Sequence, residues 1–261
     1  MKKITAILST LLICITAYNQ TELTNKYDIT AEKIAVDNLG YIYTVNATQL
    51  CKFDKDFNKI GQYDDKSHGE ISSVDCSDPF RILIFYKDFN KIVFLDNYLA
   101  ELRDAVLLDD LMIYSTDAVC SSTQGSFRVF DNQNSAVNSY NKDLNIIQTG
   151  VNLYSVSGDQ TAIKIKESNN FVYVLFNSGE IVILDKFSNF VKKPEWQNVK
   201  SFDCIDDKLF VLIDSEIFFS NENYELVRFY SHESDQIIDF AISINNLFVL
   251  TEKSLITFKI L

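Results

Sequence analysis

An all-β array of repeated four-stranded units is what this sequence predicts, and three observations carry that expectation. A short stretch recurs in which an apolar residue is followed by Asp or Asn and, three places on, usually by a bulky residue. Its copies are Phe53-Asp54-Lys55-Asp56-Phe57, Leu95-Asp96-Asn97-Tyr98-Leu99, Tyr140-Asn141-Lys142-Asp143-Leu144, Leu184-Asp185-Lys186-Phe187-Ser188 and, more loosely, Ser220-Asn221-Glu222-Asn223-Tyr224. The Asp or Asn positions step by 42, 45, 44 and 36 residues, a period in the range of repeat architectures. A β-rich run recurs in step with it, as Tyr41-Ile42-Tyr43, Leu83-Ile84-Phe85, Phe127-Arg128-Val129, Val172-Tyr173-Val174, Leu209-Phe210-Val211 and Leu247-Phe248-Val249. Finally, the last unit offers three strands where the others offer four, while an orphan strand candidate near the start, Leu23 to Ile29, has no neighbour in sequence to pair with. A sheet one strand short leaves an open edge, which a circular array completes with a strand from the other terminus. Residues 20–261 are therefore expected to form a six-bladed β-propeller closed by an N-terminal strand that completes the last blade.

Ahead of that domain, Met1-Lys2-Lys3 and the apolar Ile4 to Ala17 read as a secretory signal over residues 1–19. The basic region is short and the apolar core is too short to span a bilayer. Cleavage before Gln20 leaves Ala17 three residues upstream of the cut. Lipidation of Cys14 would need a small residue before it, and Ile13 stands there. No other apolar run approaches the roughly 20 residues of a membrane helix. The expectation is an exported, periplasmic chain with no integral membrane segment after cleavage.

The units follow in order. The first reads Lys33 to Val36, Tyr41 to Val45, Gln49 to Phe53 and Lys59 to Tyr63, and the second Ile71 to Cys76, Arg81 to Tyr86, Lys91 to Leu95 and Glu101 to Leu108. After a longer connection, Asp109 to Asp117, the third reads Ala118 to Ser121, Phe127 to Asp131, Ala136 to Tyr140 and Asn145 to Gln148; Ala136 to Tyr140 is polar and the least strand-like. Val151 to Gln160 is an insertion without an evident place. The fourth unit reads Thr161 to Lys166, Phe171 to Phe176, Glu180 to Leu184 and Phe190 to Lys193, with Ser178-Gly179 as a two-residue hairpin turn. The fifth reads Val199 to Ile205, Leu209 to Ile213, Glu216 to Phe219 and Glu225 to Tyr230, and the sixth Ile237 to Ser243, Leu247 to Thr251 and Ser254 to Ile260. Short β-rich runs joined by tight turns form up-and-down meanders.

Composition agrees with a packed, exported domain. At 47% hydrophobic and 13% aromatic the chain can bury a full core. With only seven Gly and two Pro, its turns must rest on Asn, Asp and Ser, whose side chains bond nearby backbone. The formal charge of -12 excludes nucleic acid as a natural partner, because phosphate binding needs a clustered positive potential.

No stretch carries a recognisable chemistry. Cys76, Cys120 and Cys204 fall at matching places near the ends of first strands, where Val36 and Ile242 stand in other units, so they read as small buried hydrophobes. His68 and His232 sit in polar connections and read as solvated, as do the pairs Asp64-Asp65, Asp109-Asp110 and Asp206-Asp207. The sequence holds no GxSxG, HExxH or Gly-rich phosphate loop. No catalytic, cofactor-binding or metal-binding residue is expected. Phe80, Arg81, Tyr86, Phe89, Tyr98 and Arg103 form the densest group of aromatic and Arg residues, the composition of interface anchors.

Val36-Asp37-Asn38-Leu39-Gly40-Tyr41-Ile42-Tyr43 through Leu50-Cys51-Lys52-Phe53-Asp54 resembles the D-x-x-G-x-I-Y and I-x-x-F-D pattern of NHL-type propellers. That resemblance implies an alternative function, a metal-dependent lactonase-like hydrolase with its site in the channel. The first-strand ends, however, show Val36, Cys76, Cys120, Cys204 and Ile242 in place of carboxylate and amide ligands. The segment from Val74 to Tyr86 with Phe94-Leu95-Asp96-Asn97 is similar to a family of exported proteins of the Bacteroidota, that of the plug subunit of the type IX secretion translocon. This second resemblance implies a non-catalytic protein-interaction module without cofactor. Its partner would be an outer-membrane secretion channel, gripped by loops of one propeller face.

Overall fold

The computed structural model describes residues 21–231 and 236–261; the expected leader, Cys14 and His232 lie outside the described residues. Among the described residues, six antiparallel sheets of four strands are present. They are built on a turn that needs no glycine. At Asp54, Asp96, Asn141, Asp185 and Asn221 the side-chain Oδ1 accepts the backbone N–H two residues on at 2.8–3.0 Å and the one four residues on at 2.8–2.9 Å. The residue three places on (Phe57, Leu99, Leu144, Ser188 or Tyr224) adopts a positive φ between 57° and 67°. That conformation costs a residue with a Cβ about 1–2 kcal/mol, which the two bonds to Oδ1 offset. It also directs the side chain inward: Leu99 and Ser188 are buried, and Phe57, Leu144 and Tyr224 pack on the core.

Strand β1 (Thr21–Asp28) is first in sequence and outermost in the last blade. Blade one holds β2 (Lys33–Val36), β3 (Ile42–Asn46), β4 (Gln49–Phe53) and β5 (Lys59–Asp64). Blade two holds β6 (Ser73–Asp75), β7 (Ile82–Tyr86), β8 (Lys91–Leu95) and β9 (Val106–Leu107). Blade three holds β10 (Val119–Ser121), β11 (Phe127–Asp131), β12 (Ala136–Tyr140) and β13 (Ile146–Gln148). Blade four holds β14 (Ala162–Ser168), β15 (Phe171–Phe176), β16 (Ile181–Asp185) and β17 (Phe190–Lys192). Blade five holds β18 (Val199–Ile205), β19 (Lys208–Ile213), β20 (Glu216–Ser220) and β21 (Leu226–Ser231). In blade six, β22 (Ile237–Ile242), β23 (Asn246–Thr251) and β24 (Ser254–Ile260) are completed by β1, from Thr21 opposite Ile260 to Asp28 opposite Ser254. The fold is the expected closed six-bladed propeller.

Strand alternation explains why the central strands are apolar on both faces. In β7, Ile82, Ile84 and Tyr86 pack towards blade one, and Leu83 and Phe85 towards blade three. Six such apolar clusters each lie between two neighbouring blades, and the one joining blades six and one sets Phe248, Leu250 and Leu255 against Ile34 and Ile42.

This packing corrects the sequence register. Leu83 faces the following blade, whereas Phe127, Val172, Leu209 and Leu247 face the preceding one. Their counterparts in blades two and one are therefore Ile82 and Ile42, because a slip of one residue moves a side chain to the other face. The expected Glu101 to Leu108 strand is reduced to a bridge at Leu95–Glu101 and the two-residue β9, since the chain leaves the edge at Leu102 to Asp104 and Arg103 reaches the Lys142 carbonyl. The hairpin near Gly179 spans three residues, with Gly179 at φ 81° donating to the Phe176 carbonyl. Leu153 roots the insertion, inserting into the cluster between blades three and four beside one helical turn, Tyr154–Ser157.

Replacing Asp96 by Ala strips two backbone N–H groups of their acceptor and should lower stability by about 1–2 kcal/mol in urea titration, while Asp96→Asn, the residue found at 141 and 221, should cost far less. The Asn58 side-chain amide, with the Asn58 and Asp56 backbone N–H groups, holds the Asp54 carboxyl below its ordinary range. Its contribution is then complete above the unfolded value near pH ~4 and is lost as pH falls through the lower folded value. Acid titration of Asp54→Asn should show a shallower loss. Removing residues 1–28 should expose the edge of β24 and give oligomers by size-exclusion chromatography.

Candidate functional site

The inner strands β2, β6, β10, β14, β18 and β22 surround a channel with a cavity of about 270 Å³, lined among others by Lys33, Asp75, Lys164, Lys166, Asp203 and Asp239. Its carboxylates join blades. Asp75 accepts the Ser121 N–H at 2.9 Å, Asp203 the Ile242 N–H at 2.9 Å and Asp239 the Ile34 N–H at 3.2 Å, each from the next blade round the ring. Burial alone would lower the Lys166 pKa; the Asp203 carboxylate bonded to it reverses the effect, so the ammonium stays charged.

Cys51, Cys76, Cys120 and Cys204 are buried free thiols. Burial raises the Cys76 and Cys120 pKa values and pushes Cys204 up to about 12, which leaves these thiols protonated and inert at neutral pH. Cys120 is not the counterpart of Cys204. Cys204 lies opposite Leu209 and Ser121 opposite Phe127, whereas Cys120 lies opposite Arg128. In blade four the same place is Glu167, opposite Val172.

Arg128 and Glu167 form a buried ion pair between blades three and four, with side chains 5% and 9% exposed. The guanidinium also donates to Ser139 Oγ at 2.8 Å, Ser188 Oγ at 3.1 Å and the Lys186 carbonyl at 2.9 Å. The polarity of β12 thus has a cause, since Ser139 serves Arg128.

The structure divides the aromatic and Arg group. Phe80, Arg81, Tyr98 and Arg103 lie on the face that carries the Asp/Asn turns, where Tyr98 is 83% exposed. The Arg81 guanidinium stacks 3.7 Å from the Phe94 ring centroid, and its Nε and Nη2 are buried without a hydrogen-bond partner. Tyr86 is fully buried and leaves the exposed set, because its position in β7 points into the seam with blade one. Phe89 lies on the opposite face, in the loop between β7 and β8.

That opposite face, formed by the connections between blades, holds exposed side chains the sequence did not single out: Met112, Tyr114 and Tyr154. They belong to one interlocked surface. Asn90 holds the Asp109 carboxylate and the Ile113 carbonyl, and Lys87 pairs with Asp117. Asn132 in turn reaches Ser115 and Asp117, and Asn152 donates to the Asn134 carbonyl. The one available signal was length, since the connections at 109–117 and 151–160 are longer than the turns within blades. His68, expected in solvent, is only 13% exposed at its side chain and stands between the carboxylates of Asp65 and Glu101.

No protein-family model and no curated protein matches this chain. Solved structures match in fold. The Neurospora crassa Pan2 WD40 domain is 10% identical with a TM-score of 0.62, covering 88% of this chain and 89% of its own. A streptogramin B lyase is 7% identical with a TM-score of 0.60, covering 91% and 98%. PorZ, a bacterial surface component essential to the type IX secretion system of Porphyromonas gingivalis, is 11% identical with a TM-score of 0.53; the match covers 90% of this chain and 38% of PorZ. A lyase and a secretion component on one architecture show that the fold does not select the activity.

Glu167→Ala should destabilise the chain by about 3–5 kcal/mol, because it strands a buried guanidinium, whereas the double change Arg128→Leu with Glu167→Leu should come much closer to the parent in urea titration.

Proposed function

We propose that this chain is an exported, non-catalytic protein-binding platform, and that it serves as the plug that seals an outer-membrane type IX secretion pore from the periplasmic side. The carrying observation is the interlocked face on which Phe89, Met112, Tyr114 and Tyr154 stand exposed. Large apolar side chains held by a rigid scaffold are the composition of interface anchors, since little ordering entropy opposes their burial. A closed ring of six blades gives a stiff disc suited to covering an opening. The likeness of residues 74–86 to the plug subunit family supports the secretion role, and so does the fold likeness to PorZ. The basic and apolar leader supports export, and among the described residues no helix is long and apolar enough to cross a membrane. A non-catalytic role is supported by the neutral thiols and by channel carboxylates already engaged by backbone N–H groups.

A second reading places the contact on the turn face, through Phe80, Arg81, Tyr98 and Arg103. The exposure of Phe80 and Tyr98 on that face favours it.

Tagged protein should co-purify with an outer-membrane channel from solubilised membranes. The triple variant Met112→Ala, Tyr114→Ala, Tyr154→Ala should reduce recovery roughly 30-fold, the equivalent of about 2 kcal/mol, while Phe80→Ala with Tyr98→Ala leaves it intact. The reverse pattern moves the contact to the turn face, and recovery as a free monomer under every condition refutes both readings.

A further inference from the structure

Asp65 and His68 lie on the connection between blades one and two, and Glu101 on the outer edge of blade two. His68 Nε2 stands 3.4 Å from Asp65 Oδ2 and 3.6 Å from Glu101 Oε1, and the three donor atoms lie within 4.8 Å of one another. A charge-assisted hydrogen bond would close to about 2.7–2.9 Å. In a tetrahedral shell with bonds of about 2.0–2.2 Å, by contrast, neighbouring donors stand about 3.3–3.6 Å apart. Both separations from His68 Nε2 fall in that range.

The surroundings point the same way. The Ser67 N–H donates to Asp65 Oδ1 at 2.8 Å and so orients that carboxylate from behind, while the Tyr63 hydroxyl donates at 2.7 Å to Glu101 Oε1, the oxygen that faces His68. The His68 ring packs 5.3 Å from the Tyr86 ring. The Tyr86 side chain is completely buried, and its hydroxyl has no well-directed hydrogen bond. Lys91 lies over the Phe89 and Tyr86 rings beside this group.

We infer that Asp65, His68 and Glu101 form a divalent-metal site in the outer seam between blades one and two. One imidazole and two carboxylates match Zn²⁺ or a similar transition ion rather than Ca²⁺, which takes oxygen ligands. Asp65 and Glu101 are 39% and 35% exposed at their side chains, so the ion enters from solvent and keeps an open position for water or a partner's side chain. The site joins the Asp65–Gly69 connection to the outer edge of blade two. It would also steady Phe89, whose ring lies against Gly69 so closely that a Cβ there would come within 2.6 Å of it.

Calorimetry of the full chain, purified in chelator and then exchanged into buffer, should show one equivalent of Zn²⁺ bound and a raised melting temperature. His68→Ala and, separately, Glu101→Gln should each weaken binding about tenfold or more. Glu101→Gln keeps the side-chain volume and the acceptor for Tyr63, so it should melt like the parent in chelator, which separates lost binding from lost folding. No heat at about 1 mM Zn²⁺, or an affinity unchanged in both variants, overturns the inference and leaves the pore-binding reading untouched.

Discussion

Everything in this molecule depends on the pairing of β1 with β24. Seven residue pairs, from Thr21 opposite Ile260 to Asp28 opposite Ser254, join the two ends of the described chain in one sheet. The backbone groups along β24 would otherwise stand open, a free edge of the kind that recruits other chains. Closure also brings blade six against blade one, burying Phe248, Leu250 and Leu255 on Ile34 and Ile42, so that among the described residues each of the six seams holds an apolar cluster. Five Asp/Asn turns serve six blades for the same reason: the sixth blade takes its outer strand from elsewhere and has no link to turn.

The turns show how a chain with seven glycines makes a fold full of reversals. An Asp or Asn at the head of each link accepts two backbone N–H groups, and that fixed geometry lets Phe57, Leu99, Leu144 and Tyr224 occupy a left-handed conformation. Side chains from the loops then enter the seams between blades. Turn chemistry and core packing are one device here, and this explains why a bulky residue recurs at that place when glycine would fit more easily.

Polar residues in the ring complete what apolar packing begins. Inner-strand carboxylates satisfy N–H groups of the next blade, and Glu167 pairs with Arg128 across a seam from a position that elsewhere holds Val, Ile, Cys or Ser. These are costly groups to bury, and the bonds each makes across the seam offset that cost. On the face formed by the connections between blades, long loops interlock and present Met112, Tyr114 and Tyr154. The Asp65, His68 and Glu101 group sits in the outer seam between blades one and two.

Period and pattern were enough to read the six blades, the closing strand and the buried state of the cysteines, because strand alternation and Asx-turn chemistry act over a few residues and repeat. The same local signals could not fix register. Strands apolar on both faces, such as Ile82–Tyr86, read alike in either phase, and only the neighbouring blades decide that Ile82, not Leu83, matches Phe127. Nor could they show that Tyr86 turns inward while Phe80 and Tyr98 stay in solvent. Pairings over 33 to 46 residues, His68 with Glu101, Arg128 with Glu167 and Asp75 with Ser121, appear only when blades pack side by side. Sequence determined the unit and its closure through local forces; tertiary structure alone decided which distant charges meet, because the ring sets one blade's edge against the next.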